Sequence, residues 1–481
     1  MLLSLIFRAG RLCAGAILFA GFNTALVTTQ VMADQPVPPP MVTHLPAVLT
    51  LKDAIAIALR EQPAQAISEA SVNSALGSRE ETKSQYFPTV TPSYTFENNR
   101  SVEYGITQNQ IVTSSINPGS GTNGTGTTVN QVSGDNVNVI RGGGATISLK
   151  QTIIDSGQRE QENAEARHAV ESASLTNADT REQIVASVTS AFYTLLESAD
   201  LVKVGQALVT ENQQTVDLTN AELAAGTAAE TDVYQAKANL ATAQVTLIED
   251  QNTVEVDAAT LKNTMGVVTG DPVQPESIAS GTALPPAPSP PAIANLDQYY
   301  QLAQQNRNDL KAGLAVVESN RSAVKLARIN AGLSLSADYL LNYQPQNDIG
   351  PKGTDSVVTL TGSFPLFDGG YSKGAVRVAD AALQSALATL EQTRESILEQ
   401  VEQDYSTRQE SLQAITYAQV AVDAGELNYK SAVASREAGV GTILEITTAE
   451  ATLTQAQGQY VSAVYNFYIA DSNLQRAAGL D

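Results

Sequence analysis

The chain has 481 residues and a formal net charge of −22, with 50 acidic side chains against 28 basic ones. So large an acidic excess excludes nucleic acid as a partner, because phosphates need a basic surface. Aromatics make up only 5%, there is no Trp, and a single Cys and two His are present; the composition points to helices packed through small residues along a long, thin body, without a Cys or His metal site.

Residues 1–33 read as an export signal. Arg8 and Arg11 give the positive flank, residues 12–22 the apolar stretch, and Val31-Met32-Ala33 a cleavage site before Asp34. The apolar stretch is too short for a membrane-spanning helix. Its removal takes two arginines and no acids, moving the net charge from −22 to −24. Cys13 lies inside the signal and follows Leu12 rather than the small residue that lipidation requires, so the mature chain is expected to lack a thiol. A Pro-rich segment, 34–50, comes next.

A first unit is expected over 51–266. Leu51, Ala54, Ile55, Ala58 and Leu59 open an amphipathic helix that bends near Pro63 and runs to about residue 85. A strand over about 89–98 follows, with Val90, Pro92, Tyr94 and Phe96 on one face and Thr89, Thr91, Ser93, Thr95 and Glu97 on the other. Gly, Ser, Thr and Asn dominate 101–144, which reads as a long flexible loop before a second strand at about 145–154. From 157 to 225 there is no Pro and small apolar residues recur at helical spacing, which gives roughly 100 Å of helix at about 1.5 Å per residue. A helix that long needs a partner, and 229–265 is the antiparallel one.

A Pro-rich linker over 267–295 leads to a second unit, 296–481. It repeats the plan: a helix from 296 to about 331, strands at about 333–343 and 356–366, a long helix over 371–438 and a return helix over 443–477. The two units are copies. Asp155-Ser156-Gly157 recurs 213 residues later as Asp368-Gly369-Gly370, Gly226 as Gly439 and Gly266 as Gly479. Upstream of the strands the offset is 245, as Leu51 and Leu296 show; the 32-residue difference falls in the first copy's hairpin loop.

Four strands of about ten residues, apolar on one face and hydroxyl-rich on the other, have the length and alternation of outer-membrane barrel strands. The smallest barrels need about eight. Open edges in lipid would leave backbone groups unpaired, so closure must come from further copies of the chain.

This plan resembles the TolC-like outer membrane efflux protein family. The resemblance rests on Gln151-Thr152-Ile153-Ile154-Asp155-Ser156-Gly157 and Phe364-Pro365-Leu366-Phe367-Asp368-Gly369-Gly370, each followed after 71 residues by Gly226 or Gly439 and then by Thr231-Asp232-Val233 or Leu444-Glu445-Ile446. It implies a mainly α fold with membrane β structure: a tandem-duplicated α-helical barrel of long antiparallel coiled-coil hairpins, joined to a trimeric 12-stranded outer-membrane β-barrel with four strands per chain. It also implies a homotrimeric exit duct in the outer membrane with a long periplasmic extension, serving a tripartite efflux pump or type I secretion system. The partners would be outer-membrane lipid, a periplasmic adaptor (membrane fusion) protein and an inner-membrane pump. The other reading of the helices and composition is a surface coiled-coil filament or adhesin.

Architecture accounts for the strand-to-helix turns, where Asp155 or Asp368 caps the new helix and Gly157 or Gly370 permits the turn. The resemblance places the periplasmic aperture at the hairpin tips, where symmetry would make rings of Asp232 and Glu445 that favour cations. Thr448 replaces a further acid expected there, and Gly441 stands where a basic partner would hold the mouth shut. Gly226, Thr227 and Ala228, with Gly439, Val440 and Gly441, are candidate adaptor contacts, because small residues leave grooves for a partner helix. Tyr94, Phe96, Tyr339, Tyr343, Phe364 and Phe367 are candidates for the interfacial aromatic belts. His44 lies in the Pro-rich leader and His168 stands alone on a long helix, and no phosphate loop is present; neither a catalytic activity nor a cofactor is expected.

Overall fold

The computed structural model describes residues 45–103, 136–267, 271–278, 284–289, 295–330, 332–344 and 353–480. The expected signal with Cys13, residue 44, most of the Pro-rich leader, the loop residues 104–135 and parts of the linker lie outside the described residues.

Each copy contributes two short helices, two strands and a pair of long helices. In chain order these are α1 (Leu51–Glu61), α2 (Pro63–Ser84), β1 (Thr89–Glu103), β2 (Asn136–Ile154), α3 (Gln158–Ala224), α4 (Glu230–Thr264), α5 (Leu296–Asn306), α6 (Asn308–Ile329), β3 (Ser334–Gln344), β4 (Gly353–Ser363), α7 (Tyr371–Glu437) and α8 (Ile443–Ala477). The strands form one antiparallel sheet in the order β1-β2-β3-β4. Helix α6 lies between α3 and α7 on the sheet side of the molecule, through Asn308 to Glu182 and Arg328 to Asp380. Further along, α8 lies between α3 and α7, through Tyr465 to Asp200 and Arg408 to Asp471.

The breaks in the short helices have two different causes. Pro63 has no N–H to give, so α1 stops at Glu61 and α2 restarts with Pro in its first turn. The second copy has no Pro there, yet the helix expected over 296–331 breaks at Arg307. The Arg307 guanidinium is buried against Asp309 (2.6 and 3.0 Å) and Gln400 (3.3 Å). Six donors and acceptors satisfied at one place outweigh the loss of one helical turn. Both breaks also receive a glycine from the far end of the same copy. A Cβ on Gly266 would sit 2.8 Å from Gln62 Cα, and one on Gly479 2.8 Å from Asn306 Cβ.

The strands run further than their side chains suggest. Within 101–144, read from sequence as loop, β1 continues to Glu103 and β2 begins at Asn136. Antiparallel pairing uses main-chain groups alone, and the Thr89↔Lys150 register holds without a shift to Glu103↔Asn136, with Gly142–Gly144 inside the ladder. Conversely, β4 stops at Ser363 rather than near 366, two residues before Pro365, which cannot donate to a ladder.

Large side chains are concentrated where the short helices brace the long ones. Phe192, Leu195 and Leu196 of α3 pack with Leu49, Leu261, Met265, Val461 and Tyr465. Tyr299 of α5 packs with Ile397, Val401 and Leu474. The leader is tied in by main chain, Leu49 N–H donating to Gln274 O and Glu276 N–H to Leu49 O. Gly266→Ala places a methyl group against the α1–α2 break at a residue with φ of +73°. It is expected to destabilise the fold by about 2 kcal/mol or more, read as a lower unfolding midpoint in detergent; an unchanged midpoint would show that the helix break yields freely.

Candidate functional site

At the tips of the long hairpins, α3 and α7 end in the same way. Gly226 N–H donates to Leu223 O and Thr227 N–H to Glu222 O, while Gly439 N–H donates to Arg436 O and Val440 N–H to Ser435 O. These are Schellman caps, with φ of +75° at Gly226 and +76° at Gly439, which is why glycine recurs at both tips. Gly441 has a different reason. A Cβ there would lie 2.8 Å from Arg436 N, so the second tip folds back on the end of α7.

The two acidic tip residues are not equivalent. The Glu445 carboxylate accepts from Thr442 N–H (3.0 Å) while Glu445 N–H donates to Thr442 Oγ1 (3.3 Å), a capping box that commits this side chain to the start of α8. Asp232 instead turns toward the other hairpin, 3.6 Å from Arg436 Nη2. Arg436 makes its main pair with Glu222 in the last turn of α3 (Nη2 to Oε2 2.5 Å, Nε to Oε1 3.2 Å) and also donates to Gly441 O (3.3 Å). The Glu222 carboxylate, and Asp232 behind it, hold the guanidinium pKa above its ordinary value. One cation thus joins the two tips through two carboxylates.

Arg436 and Glu222 were not singled out from sequence. They stand off the 213-residue register, since Arg436 corresponds to Leu223 and Glu222 to Ser435. The available signal was a pair of opposite charges on the last turns of two copied helices. The expected adaptor contacts Thr227, Ala228 and Val440 sit at the tips beside this pair, with Val440 and Leu444 exposed.

At the other end of the long helices, the strand-to-helix turns use their aspartates from two residues before the cap. Asp155 accepts from Gly157 and Arg159 N–H (both 3.2 Å), and Asp368 from Gly370 (2.9 Å) and Ser372 N–H (2.8 Å). Gly157 and Gly370 themselves occupy the N-cap positions, both with φ of +92°. Around the second turn Phe364, Leu366, Phe367 and Tyr371 are exposed apolar side chains, as are Tyr94 and Phe96 on β1 and Tyr339 and Tyr343 on β3.

An open four-stranded sheet set on two copied coiled-coil hairpins is a combination with relatives. A family model described as outer membrane efflux protein matches residues 54–267 and 299–480. The chain belongs to the outer membrane efflux protein family. It is 21% identical over 348 residues to the outer membrane protein TolC of Escherichia coli (strain K12), covering 70% of this chain and 69% of that protein. It is 24% identical over 338 residues to the cobalt-zinc-cadmium resistance protein CzcC of Cupriavidus metallidurans, covering 70% of this chain and 77% of that protein. The outer membrane protein VceC of Vibrio cholerae superposes with a TM-score of 0.69 at 19% identity, over 89% of this chain and 96% of that one.

As an outer membrane efflux protein, the chain is a channel protein of the outer membrane, and the filament or adhesin reading is not favoured. Among the described residues no helix is long and apolar enough to cross a membrane, and no cluster of acidic or imidazole side chains could hold a metal ion.

Between the tips and the waist, one acid stands apart from the solvated majority. Glu450 of α8 is 2% exposed and lies against α3, where Asn212 Nδ2 donates to its Oε1 (2.6 Å). Burial, with repulsion from Glu211, pushes its pKa up to about 7. Partial burial, with the same two acids nearby, pushes the Tyr429 hydroxyl of α7 up to about 12. Because folding raises the Glu450 pKa above its unfolded value, the folded state binds the proton more tightly. Its contribution is therefore most favourable at low pH and is lost as pH rises through about 7. Glu450→Gln should stabilise the protein at pH 8 by on the order of 2 kcal/mol relative to its effect at pH 5. Thermal unfolding followed by helical circular dichroism at the two pH values checks this, and an equal shift at both would place the charge in water.

Proposed function

We propose that three copies of this chain form the exit duct of a tripartite efflux or type I secretion assembly, conducting substrate passively from an inner-membrane pump and a periplasmic adaptor to the exterior. The observation that carries this is the open sheet: β1 and β4 end it, and an outer-membrane protein cannot leave those ladder groups unpaired in lipid. Four strands are also too few to enclose a lumen. Three copies supply twelve, and the paired hairpins, two per chain, then line a periplasmic tunnel. The exposed aromatics Tyr94, Phe96, Phe364 and Phe367 suit the lipid interface at the barrel's rims. In this reading the first structural repeat is 51–266 and the second 296–481, joined by the linker 267–295.

The tips form the periplasmic mouth. Arg436 holds the second hairpin against Glu222 and Asp232 of the first, and the cost of separating the tips is the cost of uncoupling those charges. Asp232 and Glu445 ring the aperture, while Gly226, Thr227, Ala228, Gly439, Val440 and Gly441 present the low-relief surface that an adaptor helix can approach. Glu445 caps α8 and rings the mouth with the same carboxylate, so a probe of its charge must preserve its cap.

Two measurements test this. The detergent-extracted protein should have the mass of a trimer and form pores in planar bilayers; a monomer without conductance would end the duct reading. Within those pores, Arg436→Ala should raise single-channel conductance several-fold by freeing the tips. Asp232→Asn combined with Glu445→Gln, which keeps the capping box, should lower cation preference. Unchanged ion selectivity in the double variant would remove both acids from the aperture.

A further inference from the structure

The polar face of the sheet is not uniform. Directly opposed residues of an antiparallel pair share a face, so the registers sort the side chains of the four strands onto two surfaces. Val90, Tyr94, Ile147, Tyr339, Val358 and Leu360 fall on one, all of them exposed. On the other, Thr89 pairs with Lys150, Lys150 with Asp338 and Asp338 with Thr359, which makes one row across the sheet. In an outer-membrane barrel the apolar face meets lipid and the other lines the lumen.

Most of that second face is hydroxyl and amide, and Lys150 is the one basic side chain in 89–96, 143–154, 334–344 and 353–363. The copied plan puts serine in place of both charges of the row: the counterpart of Lys150 is Ser363, 213 residues on, and that of Asp338 is Ser93, 245 residues back. A hydroxyl is enough to line the face at both positions. The charges are additions to the duplicated frame.

Where β1 and β2 meet the start of α3 lies a cavity of about 270 Å³ whose walls include Phe87, Thr89, Lys150, Thr152, Asp155 and Arg159. Arg159 is fully committed there. Its Nε donates to Asp155 Oδ2 (2.5 Å), Nη1 to Thr152 O (3.2 Å) and Nη2 to Ile153 O (3.3 Å), and its guanidinium carbon lies 5.1 Å from the centre of the Tyr86 ring. Asp155 and Arg159 cancel, so Lys150 is the net charge of the cavity. Among the described residues its ammonium meets no acceptor, since Asp338 opposite takes the Ser336 hydroxyl instead (3.4 Å). Phe87, 70% exposed, adds an apolar wall. The second copy has no such place, because Phe87, Lys150 and Arg159 fall on Gly332, Ser363 and Ser372.

An uncommitted ammonium, hydroxyls and an aromatic side chain in one recess suit a carboxylate carried on an apolar body. In a chain with a net charge of −22 a cation needs no dedicated site, whereas an anion does.

We propose that this recess is an anion station of the barrel lumen, in which Lys150 holds the carboxylate of a small organic anion in transit and Phe87 its apolar body. This rests on the exit-duct reading above and names a class of substrate for it. The station is at the opposite end of α3 from the acidic tips, so its effect is separable from theirs. Binding has to be weak for cargo to leave, and the station acts by raising the share of anions that pass.

Benzoate is the probe, with benzylamine, a cation of similar size at neutral pH, as the control. In detergent, saturation-transfer NMR should show benzoate bound to the unaltered protein, with the signal lost in Lys150→Gln and kept in Lys150→Arg. In planar bilayers between unequal concentrations of potassium benzoate, the reversal potential reads the benzoate-to-potassium permeability ratio. Lys150→Gln should lower that ratio about twofold to threefold, with a larger change as salt is diluted and the Debye length grows from about 10 Å at 0.1 M to about 30 Å at 0.01 M. Asp338→Asn, which removes the acid opposite, should move the ratio the other way. Lys150 is exposed, so its replacement is expected to leave the sheet intact, as mass in detergent checks. No benzoate signal, equal signals from benzoate and benzylamine, or binding unchanged in Lys150→Gln would overturn the station. Bound benzoate with an unchanged permeability ratio would overturn its part in transit. A protein that binds benzoate through Lys150 yet forms no pores would overturn the duct reading and leave the site standing.

Discussion

A strand edge inside a hydrocarbon layer has nowhere to send its N–H and C=O groups, and that constraint orders most of what this chain does. Water can satisfy an edge on a soluble sheet; lipid cannot, and each orphaned group costs several kcal/mol. A chain with four strands in the outer membrane is therefore incomplete by itself. Duplication offers a direct solution, because a unit that already knows how to join its own copy can join a further copy by the same contacts. The equal spans of α3 and α7, Gln158–Ala224 and Tyr371–Glu437, then follow from the need for every wall segment to reach the same depth.

The same constraint explains how side chains are distributed. Along the long helices, alanine, serine and threonine allow close approach, and many of the hydroxyls return to their own helix, as Thr215 does to Glu211 O and Thr407 to Gln403 O. Such packing holds a wall together with little bulk. Bulk is reserved for the waist, where α1 and α5 clamp the ends of α4 and α8 and where Phe192, Tyr299 and Tyr465 are buried. At the tips the two hairpins are joined instead by the ion pairs of Arg436 with Glu222 and Asp232. A charge pair is well suited to that place, since its strength can change without repacking a core.

Much of this was legible in the sequence because it depends on local rules. Gly226 and Gly439 mark caps that only a positive φ can make, Pro63 marks the place where the first helix is interrupted, and the Thr89–Phe96 alternation marks a strand. What escaped depends on contacts between distant segments. The break at Arg307 needs Gln400 from α7 and Gly479 from the chain's end; the outer halves of β1 and β2 need each other, because main-chain pairing does not show in side-chain pattern. Glu450 reads as one more solvated acid until α3 brings Asn212 to it. Glu445, expected from sequence at the aperture, proves to be a capping residue, as its Thr-x-x-Glu spacing fits.

The places where the copies disagree are the more informative for function. A perfect repeat would put the same side chains at both tips, and a ring of identical tips would carry identical charges that repel. Here one copy supplies Glu222 and Asp232, while the other supplies Arg436, so neighbouring tips attract. A similar asymmetry appears at Glu450, whose counterpart Lys237 is exposed on α4: one copy buries an acid where the other carries an exposed base. The duplicated frame fixes where the joints fall, and departures from it decide which joints are tight and which respond to charge.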